Sequence, residues 1–209
     1  MNKIIKLILW DFGGVLTKSP LEKFSKYEKK NNITPGTIIK INSCNKYDNA
    51  WAKLEKNLIN KKEFSDLFLM EAKNLNIKDK LDVNEILNCL NVELEPNMVD
   101  IFFKLKKKIP AACLTNNVSK NILKKSNNNF DNFKMNFNYV FESCKLGLRK
   151  PEEAIYKYVL NFLKLSPEYI LFIDDLGINL KPAKKLGFNT YKAVSAKETR
   201  VFLKHLLEQ

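Results

Sequence analysis

Ile4-Ile5-Lys6-Leu7-Ile8-Leu9-Trp10-Asp11-Phe12-Gly13-Gly14 is the stretch that decides the fold. Its apolar run from Ile4 to Trp10 is rich in β-branched and large side chains and too short for a good helix. It stops at an acidic residue followed closely by two glycines, so it reads as a buried strand with a tight exit. A run of this length ending in Asp11 fits neither a membrane span nor a signal peptide.

Working outward, the pattern turns helical from Lys18 to Asn97. Ser19-Pro20 supplies a cap and a first-turn proline, with Leu21 and Phe24 facing inward. Trp51, Leu54 and Leu58 recur at helical spacing, as do Phe64, Leu67, Phe68 and Ala72, and then Val83, Ile86, Leu87 and Leu90. After Pro96 an α/β alternation resumes. Met98, Ile101, Phe102 and Leu105 predict a helix, Ala111 to Leu114 a strand, and Tyr139 to Phe141 another. Pro151 is expected in the first turn of a helix whose apolar face is Ile155, Tyr158, Val159 and Phe162. Ile170 to Ile173 predicts a strand, followed by a helix to Leu186, a short strand around Tyr191 and a final helix from Ala196. The Asn-rich stretch Ser126 to Asn138 reads as a loop anchored by Phe130 and Phe133. The expected fold class is therefore α/β: a doubly wound parallel sheet over residues 1–17 and 98–209, with a small all-helical cap inserted at 18–97.

A chain of 209 residues, 45% hydrophobic, is long enough for one well-buried core and an accessory lobe. Cys44, Cys89, Cys113 and Cys144 are scattered without a Cys-x-x-Cys pair and read as reduced and mostly buried, in a cytoplasmic protein. His205 is the single histidine and falls in an apolar helical pattern, which disfavours a Ser-His-Asp triad and a His-rich zinc site. The net charge of +13 comes almost wholly from lysine, Arg149 and Arg200 being the arginines, and it is spread along the chain. That distribution reads as compositional bias and solvated helix faces, and disfavours nucleic acid as a partner. A small-molecule substrate, no membrane association, and a monomer or homodimer are expected.

The polar residues expected at strand ends form a set. Asp11 ends the first strand, Thr115-Asn116 the second, Lys150 precedes the helix at Pro151, and Asp174-Asp175 end the Ile170 strand. In a doubly wound sheet the carboxyl ends of the strands border the ligand site. Each residue alone has an innocent reading as a cap, a turn residue or a surface lysine; their order and context together point to one site.

That order resembles the haloacid dehalogenase superfamily over nearly the whole chain. The resemblance is carried by Leu9-Trp10-Asp11-Phe12-Gly13-Gly14-Val15-Leu16-Thr17, by Cys113-Leu114-Thr115-Asn116-Asn117, by Gly147-Leu148-Arg149-Lys150-Pro151, and by Asp174-Asp175-Leu176-Gly177-Ile178-Asn179 with Ala183 and Gly187 downstream. The phrases are most similar to the phosphatase-like N-terminal domains of soluble epoxide hydrolases and of acyl-CoA dehydrogenase fusion proteins. The resemblance implies a Rossmann-like core, a helical cap whose loops choose the substrate, and a magnesium-dependent phosphatase. Asp11 would be the nucleophile and form an aspartyl-phosphate. Mg2+ would be held by Asp11, the Gly13 carbonyl and Asp175, with Asp174 in support and Asn179 behind them. Thr115 and Asn116 would hold and orient phosphate oxygens, and Lys150 would lower the charge repulsion that protects a phosphate ester. Among phosphate esters, the resemblance leaves sugar phosphates, lipid phosphates and nucleotides open. From the insertion, Lys18, Lys46, Tyr47 and Trp51 are the candidates to face it, with Trp51 read first as cap core.

One position departs from that family's phosphatase pattern. Where most of its phosphatases carry a second Asp as general acid and base, this chain has Gly13. A positioned proton-transfer group contributes about 10²- to 10⁴-fold in rate. Three readings therefore stand side by side: a phosphatase limited by proton transfer, a metal-independent 2-haloacid dehalogenase, and a phosphate-binding or regulatory module without turnover.

Overall fold

The computed structural model of the chain describes residues 4–123 and 128–208. Strand β1 (Leu7–Trp10) is followed by helices α1 (Pro20–Lys30), α2 (Thr37–Ser43), α3 (Ala50–Glu55), α4 (Lys61–Asn74) and α5 (Val83–Asn88). The chain then runs α6 (Pro96–Lys106), β2 (Ala111–Thr115), α7 (Asn128–Phe133), β3 (Tyr139–Glu142), α8 (Ser143–Leu146) and α9 (Glu153–Leu163). It ends with β4 (Ile170–Asp174), α10 (Gly177–Lys185), β5 (Asn189–Lys192) and α11 (Ala196–Glu208).

The five strands pair in the order β3-β2-β1-β4-β5, every pair parallel. β1 sits at the centre, flanked by β2 and β4, so the chain winds outward in both directions from it. Both faces are covered, which is why β1 is apolar at every position instead of alternating. Ile8 and Trp10 pack on one side with Phe102 of α6 and Leu203 of α11, while Leu7 and Leu9 pack on the other with Tyr156 of α9 and Ala183 of α10. The strand is shorter than expected. Its ladder with β4 begins at Leu7 opposite Ile170, and Ile4, which has no partner strand beside it, is exposed.

Helices α1 to α5 bury their own apolar cluster, centred on Trp51, Phe64 and Phe68. Ser19 caps α1 by accepting from the Leu21 N–H, with Pro20 in its first turn as read. The two chain segments that join these helices to the sheet run side by side: Lys18 N–H donates to the Glu93 carbonyl at 2.9 Å and Glu95 N–H to the Leu16 carbonyl at 2.9 Å. α6 starts at Pro96, so Pro96 and Asn97 already belong to a helix packed on the sheet.

Several local expectations differ from the structure. Leu58 lies beyond the end of α3 and is 64% exposed, because Asn57 turns the chain with a positive φ of 57°. Pro151 stands two residues ahead of α9, in the turn that Glu152 N–H closes on the Arg149 carbonyl at 2.9 Å. Tyr158 and Phe162 of α9 are exposed, and Tyr156 takes the buried position instead. The stretch read as an Asn-rich loop contains α7 and a short 3-10 turn at Lys134–Asn136, its residues 126 and 127 lying outside the described residues. Phe130 and Phe133 organise it: Phe130 packs edge-on to Phe12 at 4.8 Å, and Phe133 lies 5.1 Å from Phe102. Of the cysteines, all free, Cys89 and Cys113 are buried while Cys44 is exposed. His205 is exposed beside Glu208.

Phe102 is fully buried where β1, α6 and the α7 region meet, within 5.5 Å of Trp10 and 4.9 Å of Phe137 between ring centres. Phe102→Ala is expected to lower stability by about 3–5 kcal/mol in urea unfolding; a loss below about 1 kcal/mol would mean that this aromatic cluster does not tie α7 to the sheet.

Candidate active site

The carboxyl end of the sheet brings the expected residues together. Asp11 follows β1 directly, Thr115 ends β2, Asp174 ends β4, and Lys150 reaches in from the loop before α9. Because β1 lies between β2 and β4, these ends adjoin at the point where the winding reverses, the usual place for a crevice in an open parallel sheet.

Lys150 is the centre of the cluster. Its side chain is 1% exposed, and its Nζ lies 2.9 Å from Asp11 Oδ1 and 2.7 Å from Asp174 Oδ2. Burial alone would strip an ammonium of its proton, yet the two carboxylates hold Lys150 well above the ordinary lysine range. Asn116 fixes the backbone behind this ammonium. Its Nδ2 donates to the Lys150 carbonyl at 2.9 Å and its Oδ1 accepts from the Lys150 N–H at 2.9 Å. The side chain read as a phosphate contact also holds the lysine loop, with one Nδ2 hydrogen left over and a place in the lining of the chamber above.

Asp174 is fully buried and its hydrogen-bonding capacity is filled. Oδ1 accepts from Leu176 N–H at 2.8 Å, Asn179 Nδ2 is 3.1 Å from both oxygens, and Lys150 takes Oδ2. Asn179 is held in turn by α10, and its carbonyl accepts from the Tyr156 hydroxyl at 2.7 Å. Asp11 Oδ1 accepts from Phe12 N–H at 2.7 Å as well as facing Lys150, which leaves Oδ2 for another partner. Asp175 is half-buried beside them, and oxygens of Asp11, Asp174 and Asp175 all lie within 4.8 Å of one another.

Three carboxylates against one ammonium are not at rest in this form. Burial drives the Asp11 carboxyl well above its ordinary value, Asp174 and Asp175 push the same way, and Lys150 opposes them. Burial, then the neighbouring Asp174, raises Asp175 from 3.8 to about 6. A hard divalent cation would satisfy the same charges. Magnesium binds oxygens at about 2.0–2.1 Å, so its ligand oxygens are separated by up to ~4 Å, and the oxygens of this cluster lie within 4.8 Å of one another. Asp174, with both oxygens taken, suits holding Lys150 and Asn179 better than direct coordination.

The turn after Asp11 leaves room for this. Gly14 has φ of 76°, and a Cβ there would stand 2.3 Å from Asp175 Oδ2. Any side chain would press on the carboxylate from a backbone conformation that glycine adopts freely. Gly13 is different: a Cβ would meet only Pro20 at 3.8 Å and 3.9 Å, ordinary contact, so its backbone does not require glycine. Gly14 was visible in sequence only as part of a tight turn.

Above these residues lies a chamber of about 770 Å³ between the carboxyl end of the sheet and helices α1 to α3. Asp11, Thr115, Lys150 and Asp175 line its floor, with Phe24, Ile38 and Trp51 on the helical side. Of the residues expected to face it, Lys46 and Trp51 do, Trp51 being also the aromatic centre of its own cluster. Lys18 instead pairs with Glu93 at 2.7 Å in the connecting strands, and Tyr47 is exposed outside the chamber lining.

Residues 5–187 match the family of haloacid dehalogenase-like hydrolases. The chain belongs to that family. This haloacid dehalogenase-like hydrolase is 30% identical over 201 residues to mouse acyl-CoA dehydrogenase family member 10, a match covering 94% of the chain and 18% of that protein. It is 50% identical over 54 residues to rat bifunctional epoxide hydrolase 2, covering 26% of the chain and 10% of that protein. The chain therefore spans a small part of these relatives. Among solved structures it is similar to the family enzyme bt-2542 of Bacteroides thetaiotaomicron in complex with magnesium and inorganic phosphate. That likeness has a TM-score of 0.59 at 25% identity and covers 90% of this chain and 93% of the other. L-2-haloacid dehalogenase of Xanthobacter autotrophicus shares the fold at TM-score 0.62 and 16% identity, covering 90% of this chain and 77% of that one.

The raised Asp175 value gives a signed prediction. Between 3.8 and about 6 the folded chain keeps a proton that the unfolded chain has released, so ionising Asp175 opposes folding as pH rises through that window. A cation bound to the ionised carboxylates reverses this. The rise in melting temperature caused by MgCl2 is expected to be full at pH 7.5 and to shrink steadily below about pH 6, and to be absent in Gly14→Ala. An equal rise at pH 5 and pH 7.5, or an unchanged one in Gly14→Ala, would place the cation elsewhere.

Proposed function

We propose that this hydrolase is a magnesium-dependent phosphatase of a small phosphate monoester, working through an aspartyl-phosphate on Asp11. The observation that carries the reading is the charge of the site. Asp11, Asp174 and Asp175 surround one ammonium, so the fully ionised site has two uncompensated negative charges, three less one. An anionic phosphate ester entering the ionised site meets like charge, which a bound cation would offset. A site for metal-free halide displacement has no use for the additional Asp175.

Magnesium, held by Asp11, Asp175 and the Gly13 carbonyl, would supply positive charge against the phosphate oxygens. The remaining work falls to side chains. Lys150 keeps Asp11 oriented by its contact with Oδ1 and offers its ammonium to the incoming phosphoryl group. Asp11 Oδ2 attacks phosphorus, the bond from phosphorus to the leaving oxygen breaks, and the acyl phosphate on Asp11 is then hydrolysed by water. The Thr115 hydroxyl, at the end of β2 on the chamber floor, would donate to a phosphate oxygen. Asn116, Asn179 and Asp174 serve by fixing Lys150. Helices α1 to α5, within residues 18–95, act as the cap over a core of 1–17 and 96–209, and the chamber walls choose the ester.

The leaving oxygen receives no proton from position 13, since Gly13 has none to give. Esters of acidic alcohols, whose oxyanions leave unprotonated, are the preferred substrates. Gly13 also favours the second reading, halide displacement by Asp11, which needs no acid.

With p-nitrophenyl phosphate and magnesium, turnover is expected, and Asp11→Asn removes it. Gly13→Asp, for which the backbone has space, is expected to raise turnover on a poor-leaving-group ester by about 10²-fold. Magnesium-independent chloride release from 2-chloropropionate, without phosphatase activity, would select the dehalogenase instead.

A further inference from the structure

The loop that carries Lys150 is held from both sides, and the cap holds one of them. Arg149, immediately before Lys150, is buried and points away from the sheet. Its Nε donates to Glu55 Oε2 at 2.7 Å and its Nη1 to the Lys46 carbonyl at 2.8 Å. Glu55 is the last residue of α3 and is itself buried. One residue on, Lys56 Nζ meets Glu152 Oε1 at 2.9 Å, with both side chains largely covered. Adjacent residues of the cap thus grip the chain on both sides of Lys150-Pro151.

The polarity of the two pairs alternates. The cap presents Glu55 then Lys56, and the core presents Arg149 then Glu152. Sliding the contact by one residue would set Glu55 against Glu152 or Lys56 against Arg149, so the pairs define one register. Exposed ion pairs contribute little, whereas breaking a covered pair leaves a charge without its partner in a dry place. The pairs are therefore at full strength only when the cap lies on the core. Meanwhile Asn116 grips the same loop from the core side through both polar backbone groups of Lys150.

We propose that Glu55 and Lys56 are positioning residues: through Arg149 and Glu152 they couple closure of the cap to the placement of the Lys150 ammonium between Asp11 and Asp174. The inference rests on the proposed function only in taking Lys150 as part of the working site. With the cap lifted, the loop keeps its Asn116 contacts and loses its outer half, so Lys150 is fully ordered only over a covered, water-poor chamber.

The test is a charge swap in the full chain, read in two ways. Lys56→Glu and Glu152→Lys, each placing like charges together, are expected to speed hydrogen–deuterium exchange in both segment 46–56 and segment 147–152. β1 and α6 should keep their protection. The double variant, with the pair reversed, returns both segments to near the wild-type rate. In p-nitrophenyl phosphate hydrolysis each single variant lowers kcat about tenfold with a smaller change in KM, and the double recovers most of it. Exchange that changes in one segment alone, or singles whose defects add in the double, would overturn the coupling. If the wild type hydrolyses no phosphate ester while the exchange pattern and its rescue hold, the coupling stands and the phosphatase reading fails. Glu55→Gln provides the milder check: it keeps shape and one acceptor, and should loosen both segments less than Lys56→Glu.

Discussion

A buried ammonium shared by two carboxylates is the constraint on which the rest of this structure depends. Lys150 cannot lie in a dry site without Asp11 and Asp174, and those carboxylates cannot lie 2.9 Å and 2.7 Å from it unless β1 and β4 end side by side. Central placement of β1 is what makes that possible. The apolar residues on both faces of β1 therefore serve the chemistry indirectly, by fixing where Asp11 emerges. Asn116 and Asn179 complete the support, one holding the backbone of Lys150 and the other the second carboxylate.

The same cluster explains why two neighbouring glycines differ in meaning. Gly14 is required by geometry, because any Cβ would run into Asp175. Gly13 is under no such requirement, so its lack of a side chain is a chemical property of the site. Under the proposed function, the hydrolase keeps charged groups that would bind and activate and has no side chain at position 13 to protonate a leaving group. Nucleophile, cation site and lysine would then set what can react, and the leaving group's own acidity how fast.

Much of this was legible in the sequence because strands of a doubly covered sheet are short, wholly apolar and end abruptly. Leu7 to Trp10, Ala111 to Leu114 and Ile170 to Ile173 are such runs, and the polar residue after each marks the site. What stayed hidden depends on distant partners. α7 is rich in asparagine, which reads as a turn former, and its helix is stabilised by Phe102 and Phe12 from elsewhere in the chain. The Arg149–Glu55 pair spans 94 residues and leaves no local pattern. Asn116 stands where the family resemblance places a phosphate contact, and only the fold shows that its amide also binds both polar backbone groups of Lys150. Helical spacing also misled within α9, where Tyr158 and Phe162 extend the apolar face onto the surface and Tyr156 fills the core.

The central claim is that Asp11 attacks phosphorus while Lys150 and a cation hold the charge. Its most direct measurement is to quench the chain during steady turnover of an aryl phosphate with magnesium, reduce with borohydride, and map the peptides by mass spectrometry. An acyl phosphate on Asp11 is reduced to homoserine, so the peptide spanning Asp11 should lose the mass of one carboxyl oxygen and gain two hydrogens, and this change should be absent without substrate. Turnover with no reduced Asp11, or with the change on another carboxylate, would contradict the account.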